Sequence, residues 1–202
     1  MWLEPEGRNM GERRNGFVGV FDSGVGGISV LRSLVAELPH EDFHFFGDSA
    51  HAPYGEKTEA QVLDLSCGIA ERLISEGAKA IVIACNTATS VAAATLRSAH
   101  PDVPIVGIEP ALKPAARALP NGRVLVMATE VTLRLEKYRE LVRTWGGECD
   151  VVAVPCPGLA ARIEWGDLDA PDLAEMIEGY VGAYAGKVDG VVLGCTHYPF
   201  VR

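Results

Sequence analysis

Short apolar runs alternate along the chain with longer stretches in which apolar residues recur every three or four positions. Phe17–Asp22 is the first run, a buried-strand pattern that enters a glycine-rich turn. Gly27–Leu38 has helical spacing and stops before Pro39. Phe43–Phe46 predicts a second strand. Thr58 opens a long helix, with Gln61 three residues on as in a capping box. Val62, Leu65, Ile69 and Leu73 mark the inner face of that helix, and Gly77 its end. A strand at Ala80–Ala84, a helix at Asn86–Ala99 and a strand at Pro104–Ile108 follow. The second half predicts Pro110–Leu119 (helix), Arg123–Ala128 (strand), Thr132–Trp145 (helix) and Val151–Val154 (strand). Two helical stretches around Glu164 and Met176 lead to a last strand, Val188–Gly194.

Strict alternation of strands and helices predicts an α/β protein with parallel sheets. In such sheets ligands sit past the carboxyl ends of the strands. The chemically informative residues fall there: Asp22, Ser23, Gly47, Asp48, Cys85, Asn86, Glu109, Thr129, Cys195 and Thr196. The segment Ile81-Val82-Ile83-Ala84-Cys85-Asn86-Thr87 is echoed by Val191-Val192-Leu193-Gly194-Cys195-Thr196-His197. Each delivers a cysteine from a buried strand to a turn, which suggests two half-sites related by a pseudo-twofold.

Composition narrows the class. Of 202 residues, 48% are apolar and 22% charged, as in a soluble globular enzyme. No apolar run approaches the ~18 residues of a membrane span. The net charge of −9 comes with no Lys/Arg cluster beyond the N-terminal tail, which argues against nucleic acid. Residues 1–15 are polar, include Arg13 and Arg14, and lack the apolar core of a signal peptide. They are expected to be a disordered extension, with Met10 an alternative start, and the expected compartment is the cytoplasm. Five cysteines, Cys67, Cys85, Cys149, Cys156 and Cys195, form no CxxC pair, so neither a disulfide framework nor a zinc site is expected.

Cys85 sits between a strand and a helix, where the helix dipole is expected to lower its pKa. Cys195 repeats the arrangement, with Thr196 and His197 behind it; His197 can tune the thiol or relay its proton. Inverting an α-carbon needs a base on one face and an acid on the other, and two equal thiols suit that task. A Cys–His nucleophilic pair is the competing chemistry. No phosphate cradle for pyridoxal phosphate is evident, so no cofactor is expected. The turn Asp22-Ser23-Gly24-Val25-Gly26-Gly27 departs from a dinucleotide loop, because Ser29 takes the third glycine's place and Asp22 would repel a pyrophosphate. Its N–H groups and Ser23 could instead bind a substrate carboxylate, with Asp22 accepting an ammonium or poising a cysteine. Plain helix caps are the simpler reading of the same two residues. Tyr54 and Gly55 lie in a turn. Thr129 and Thr132 either cap a helix or donate to a second carboxylate. Glu164, taken alone, reads as a surface residue.

Six motifs in order, VFDSGVGG, FGDSAHAPYG, ACNTAT, MATEVTLR, CPGLAARIEWG and VLGCTHYPF, make the chain resemble the glutamate racemases of bacterial cell-wall synthesis, within the aspartate/glutamate racemase superfamily. The resemblance runs from about Phe17 to Arg202. It implies two facing parallel-sheet α/β domains, 16–108 with the Cys85 half-site and 109–197 with the Cys195 half-site, and 198–202 starting a return to the first. It implies Cys85 and Cys195 as catalytic acid/base residues, assisted by Asp22 and His197 respectively, with Glu164 nearby. Substrate contacts would come from Asp22, Ser23, Tyr54, Gly55, Asn86, Thr87, Thr196 and His197. The implied partner is glutamate, with no nucleic acid, membrane, metal or cofactor; a homodimer stays open. Leu135 stands where many relatives have serine, leaving the Thr129–Thr132 contribution open. Relatives also continue beyond the second cysteine motif. A shortened chain is therefore expected to expose apolar helix faces such as Val62–Leu73 or Val30–Val35. A one-thiol lyase and a binding-only fragment remain the alternatives.

Overall fold

In the computed structural model, which describes residues 16–202, the seven apolar runs fall into two separate parallel sheets. The expected disordered extension, 1–15, lies outside the described residues. The first sheet holds β1 (Phe17–Asp22), β2 (Phe43–Gly47), β3 (Ala78–Ile83) and β4 (Ile105–Gly107) in the order β2-β1-β3-β4. The second holds β5 (Arg123–Ala128), β6 (Asp150–Pro155) and β7 (Gly190–Leu193) in the order β6-β5-β7. Every pairing is parallel.

Helices cover both faces of each sheet, which is why the central strands read as unbroken apolar runs. All six residues of β1 are buried. On one face Phe21, Ile81 and Ile83 pack with Val62, Ile69 and Leu73 of α2 (Glu59–Ser75) and with Ala92 and Leu96 of α3 (Asn86–Ala99). On the other, Val20, Val82 and Ala84 meet Val30, Leu31 and Leu34 of α1 (Ile28–Glu37). The second lobe repeats the plan. Leu125 and Met127 pack with α7 (Leu159–Glu164) and α8 (Pro171–Val181). Val124, Val126 and Val192 pack with α4 (Leu112–Ala118) and α6 (Glu136–Trp145).

The capping box at Thr58 and Gln61 forms as read, and Gly77 follows α2 with φ +102°, a conformation that favours glycine. The single helix expected over Thr132–Trp145 is instead two, α5 (Glu130–Arg134) and α6. Leu135 between them is extended, at φ −72° and ψ 147°. The expected exposure of Val62–Leu73 is also corrected, because Val62, Ile69 and Leu73 are all in the core. Helix α1 does leave apolar surface, with Val35 48% exposed and none of its residues buried. Edge strands do the same at Val106 and Val191. The 198–202 stretch, expected to start a return to the first lobe, still packs on the second through Tyr198 and Val201. Among the described residues no helix is long and apolar enough to cross a membrane.

The two-sheet packing sets a contrast that urea denaturation can check. Ile81 has no exposed surface, so Ile81→Ala should cost about 2–5 kcal/mol. Val191 is half exposed on an edge strand, and Val191→Ala should cost less than about 0.5 kcal/mol. Equal losses in the two variants would refute this division of core and edge.

Candidate active site

The carboxyl ends of both sheets meet in a polar seam. β1 ends in Asp22, which has no exposed surface. Its Oδ1 accepts from the Gly24 N–H (2.9 Å) and the Ser23 hydroxyl (3.3 Å). Its Oδ2 accepts from Thr196 Oγ1 of the other lobe at 2.9 Å. Burial raises the Asp22 pKa, opposed by the charge of His197 and by these hydrogen bonds. The glycines after Asp22 let the second lobe approach. A methyl on Gly24 would lie 2.4 Å from the Glu164 carboxylate, and one on Gly26 would lie 2.5 Å from Thr196 Oγ1.

Cys85 caps α3, as expected, its Sγ accepting from the Ala88 N–H at 3.4 Å. The Ser23 hydroxyl lies 3.7 Å from the same sulfur. The expected lowering of its pKa does not occur. Burial, together with the Asp22 carboxylate, pushes the thiol up to about 12 and outweighs the helix terminus. Cys195 follows β7, with Sγ 3.7 Å from His197 Nδ1. Its thiol is pushed up further, first by desolvation and then by the charge of Cys85. Cys195 therefore resists ionisation while Cys85 is ionised.

His197 is 1% exposed and its Nε2 lies 2.6 Å from Glu164 Oε2. Glu164 is thus no surface residue; its side chain is only 12% exposed and its carboxylate also accepts from the Val25 N–H (3.0 Å) and from Ser49 Oγ. Burial alone would raise the Glu164 pKa, but hydrogen bonds from Ser49, His197 and Val25 hold it below its usual value.

A second set of contacts crosses the seam nearby. The hydroxyls of Thr87, Thr129 and Thr132, all buried, form a triangle with sides of 3.2, 3.1 and 3.0 Å. Thr129 also caps α5 by accepting the Thr132 N–H at 3.2 Å. Gly55 packs so closely on Thr129 that a methyl there would lie 2.6 Å from its Cγ2. Pro53, Gly55, Thr129, Cys156 and Ala160 line a cavity of about 290 Å³. The Tyr54 hydroxyl is committed to Asp48 Oδ2 at 2.7 Å, leaving its buried ring as a wall. Asn86 Oδ1 is buried with no hydrogen-bond partner among the described residues. Among these residues, no group of three or more His, Cys, Asp or Glu side chains is arranged to hold a metal ion. Asp48, Ser49 and Val25 are the contributors that sequence reasoning missed as partners, because only the folded seam brings them to Tyr54 and Glu164.

The chain matches the Asp/Glu/hydantoin racemase family over residues 18–202. It is 50% identical over 190 residues to a glutamate racemase of Clostridium perfringens, covering 94% of this chain and 73% of the relative. Among solved structures, the Escherichia coli glutamate racemase in complex with L-glutamate and the activator UDP-MurNAc-Ala superposes with a TM-score of 0.82. That pair is 33% identical and covers 92% of this chain and 71% of the other. A Francisella tularensis glutamate racemase in complex with D-glutamate gives a TM-score of 0.79 at 30% identity, covering 93% and 71%.

The raised Cys85 pKa can be read by alkylation. A thiol near 12 is only about 10⁻⁵ ionised at pH 7, against a few per cent for an unperturbed one near ~8.5. Iodoacetamide labelling of Cys85, followed by peptide mass spectrometry, should stay far slower than for a free thiol at neutral pH and climb beyond about pH 10. Asp22→Asn removes a repelling charge and should move that rise to lower pH. Labelling of Cys85 at pH 7 as fast as free cysteine would contradict this electrostatic picture.

Proposed function

The chain belongs to the Asp/Glu/hydantoin racemase family, and we propose that it is a glutamate racemase, an isomerase that interconverts L- and D-glutamate by moving the α-proton between Cys85 and Cys195. The observation that supports this reading is the pair of thiols delivered from β3 and β7 to one seam, where Asp22 accepts from Ser23 beside Cys85 and from Thr196 next to Cys195. One thiolate removes the α-proton from one face while the opposed thiol returns a proton to the other. Substrate of the opposite hand reverses the roles. Both proton carriers belong to the chain, so the reaction calls for no cofactor. A one-thiol lyase leaves the second cysteine without a task.

In this reading the substrate completes the electrostatics. Both thiols are held protonated while the site is empty. A bound α-ammonium brings positive charge toward Asp22 and the sulfurs, which favours a thiolate when there is a proton to remove. We assign the two substrate carboxylates to the Ser23, Thr87 and Thr196 hydroxyls and the Asn86 amide. Thr129 and Thr132 can turn their hydroxyls from one another to the distal carboxylate, beside Gly55. The two sides differ in support. Cys85 has Ser23, Asp22 and a helix terminus. Cys195 has His197, held by Glu164, through which its proton can be steadied or relayed. On the same family likeness we assign the D-glutamate to peptidoglycan synthesis in the cytoplasm.

L-Glutamate incubated with the protein in D2O should acquire one α-deuteron as D-glutamate forms, with no cofactor added. Inversion without solvent exchange would sink the two-thiol mechanism. Cys85→Ala and Cys195→Ala should each lower turnover by at least the ~10²–10⁴-fold typical of a lost general acid or base. Circular dichroism of glutamate follows the rate, and more than about a tenth of wild-type turnover in either variant would exclude paired roles.

A further inference from the structure

The chain Cys195–His197–Glu164 does not end in its own lobe. Glu164 leaves α7 of the second lobe and lays its carboxylate on two donors of the first: the Val25 N–H, 3.0 Å from Oε2, and the Ser49 hydroxyl, which meets Oε1. Val25 belongs to the turn after β1 and Ser49 to the turn after β2. Oε2, the oxygen that takes the Val25 N–H, also meets His197 Nε2 at 2.6 Å, and His197 Nδ1 faces Cys195 Sγ. Ser49 is exposed, and among the described residues its side chain has no other hydrogen-bond partner. Gly24 is bare where Glu164 passes, since any Cβ there would strike the carboxylate.

We propose that Ser49 is a positioning residue for the Cys195 half of the reaction: from the first lobe it fixes Glu164, and through Glu164 the ring of His197, so that Cys195 exchanges its proton only when the lobes are closed. Cys85 is not reached through Ser49: its partners Ser23, Asp22 and Ala88 lie in its own lobe, and its link across the seam runs from Asp22 to Thr196 instead. Loss of Ser49 therefore slows one thiol and spares the other. The inference rests on the racemase reading above, which supplies the two proton transfers that it separates.

The test uses α-deuterated L- and D-glutamate with wild type, Ser49→Ala, Ser49→Thr, Cys85→Ser and Cys195→Ser. The equilibrium constant of a racemisation is one, so kcat/KM must fall equally in both directions; about tenfold is expected for Ser49→Ala, part of the ~10²–10⁴ that a general acid–base group supplies. The isotope effects separate the thiols. The enantiomer whose proton Cys195 removes should show a larger primary isotope effect, and the other a smaller one. That pattern should match the sign of Cys195→Ser and reverse that of Cys85→Ser. Ser49→Thr, which keeps the hydroxyl, should restore wild-type values. The 15N resonances of His197 should shift in Ser49→Ala and return in Ser49→Thr. Unchanged kcat/KM, isotope effects that move together, or the Cys85→Ser pattern would each overturn the proposal. If the wild type exchanges no α-proton, the racemase reading fails instead. The His197 resonances then decide on Ser49 by themselves, and an unshifted ring in Ser49→Ala overturns its role.

Discussion

A carboxylate with no exposed surface must be solvated by the protein around it, and Asp22 imposes that demand at the centre of this fold. An unpaired buried charge costs several kcal/mol or neutralises itself. Among the described residues, its own lobe provides the Gly24 N–H and the Ser23 hydroxyl, and a third donor, Thr196, belongs to the other lobe. Satisfying Asp22 therefore draws the lobes together, and with them the residues on either side of Thr196, namely Cys195 and His197. The same charge helps keep Cys85 protonated. One polar constraint thus fixes the closure of the seam and the resting state of a reactive group.

Much of the fold was legible in the sequence. Buried parallel strands give continuous apolar runs, and the capping box at Thr58 is a local pattern, so both were readable. The break at Leu135 was not. Leucine is a good helix former, and α6 begins with no side-chain cap. The segment just before the break carries tertiary contacts, Thr129 and Thr132 facing Thr87 across the seam, which no local pattern signals. The site divides in the same way. Both cysteines lie at strand ends that the apolar pattern marks. Glu164 makes its first-lobe contacts at separations of 139 and 115 residues, which no local pattern encodes. The direction of the Cys85 shift was misread for a related reason: the helix terminus is a local feature, whereas burial belongs to the assembled structure.

The repeated segments each end a parallel strand in a cysteine and then diverge in both backbone and chemistry. After Cys85 come Asn86 and Thr87, at the start of the 14-residue helix α3. After Cys195 come Thr196 and His197 in a short turn. The first cysteine is tuned by a helix and a nearby carboxylate, and the second by an imidazole on a carboxylate. Symmetry in the exchanged group coexists with asymmetry in what supports it.

Each lobe also keeps its own apolar interior. Among the described residues, no cluster of buried hydrophobics draws on both, and the hydrogen bonds that cross between them join hydroxyls, carboxylates and the Val25 N–H. Folding strength and chemical competence are thereby written into different residues. Natural selection for heat tolerance can work on interior side chains such as Ile81 or Leu125, while selection on rate or substrate preference works on the seam. Neither then needs to undo the other, which gives this architecture wide latitude to diverge.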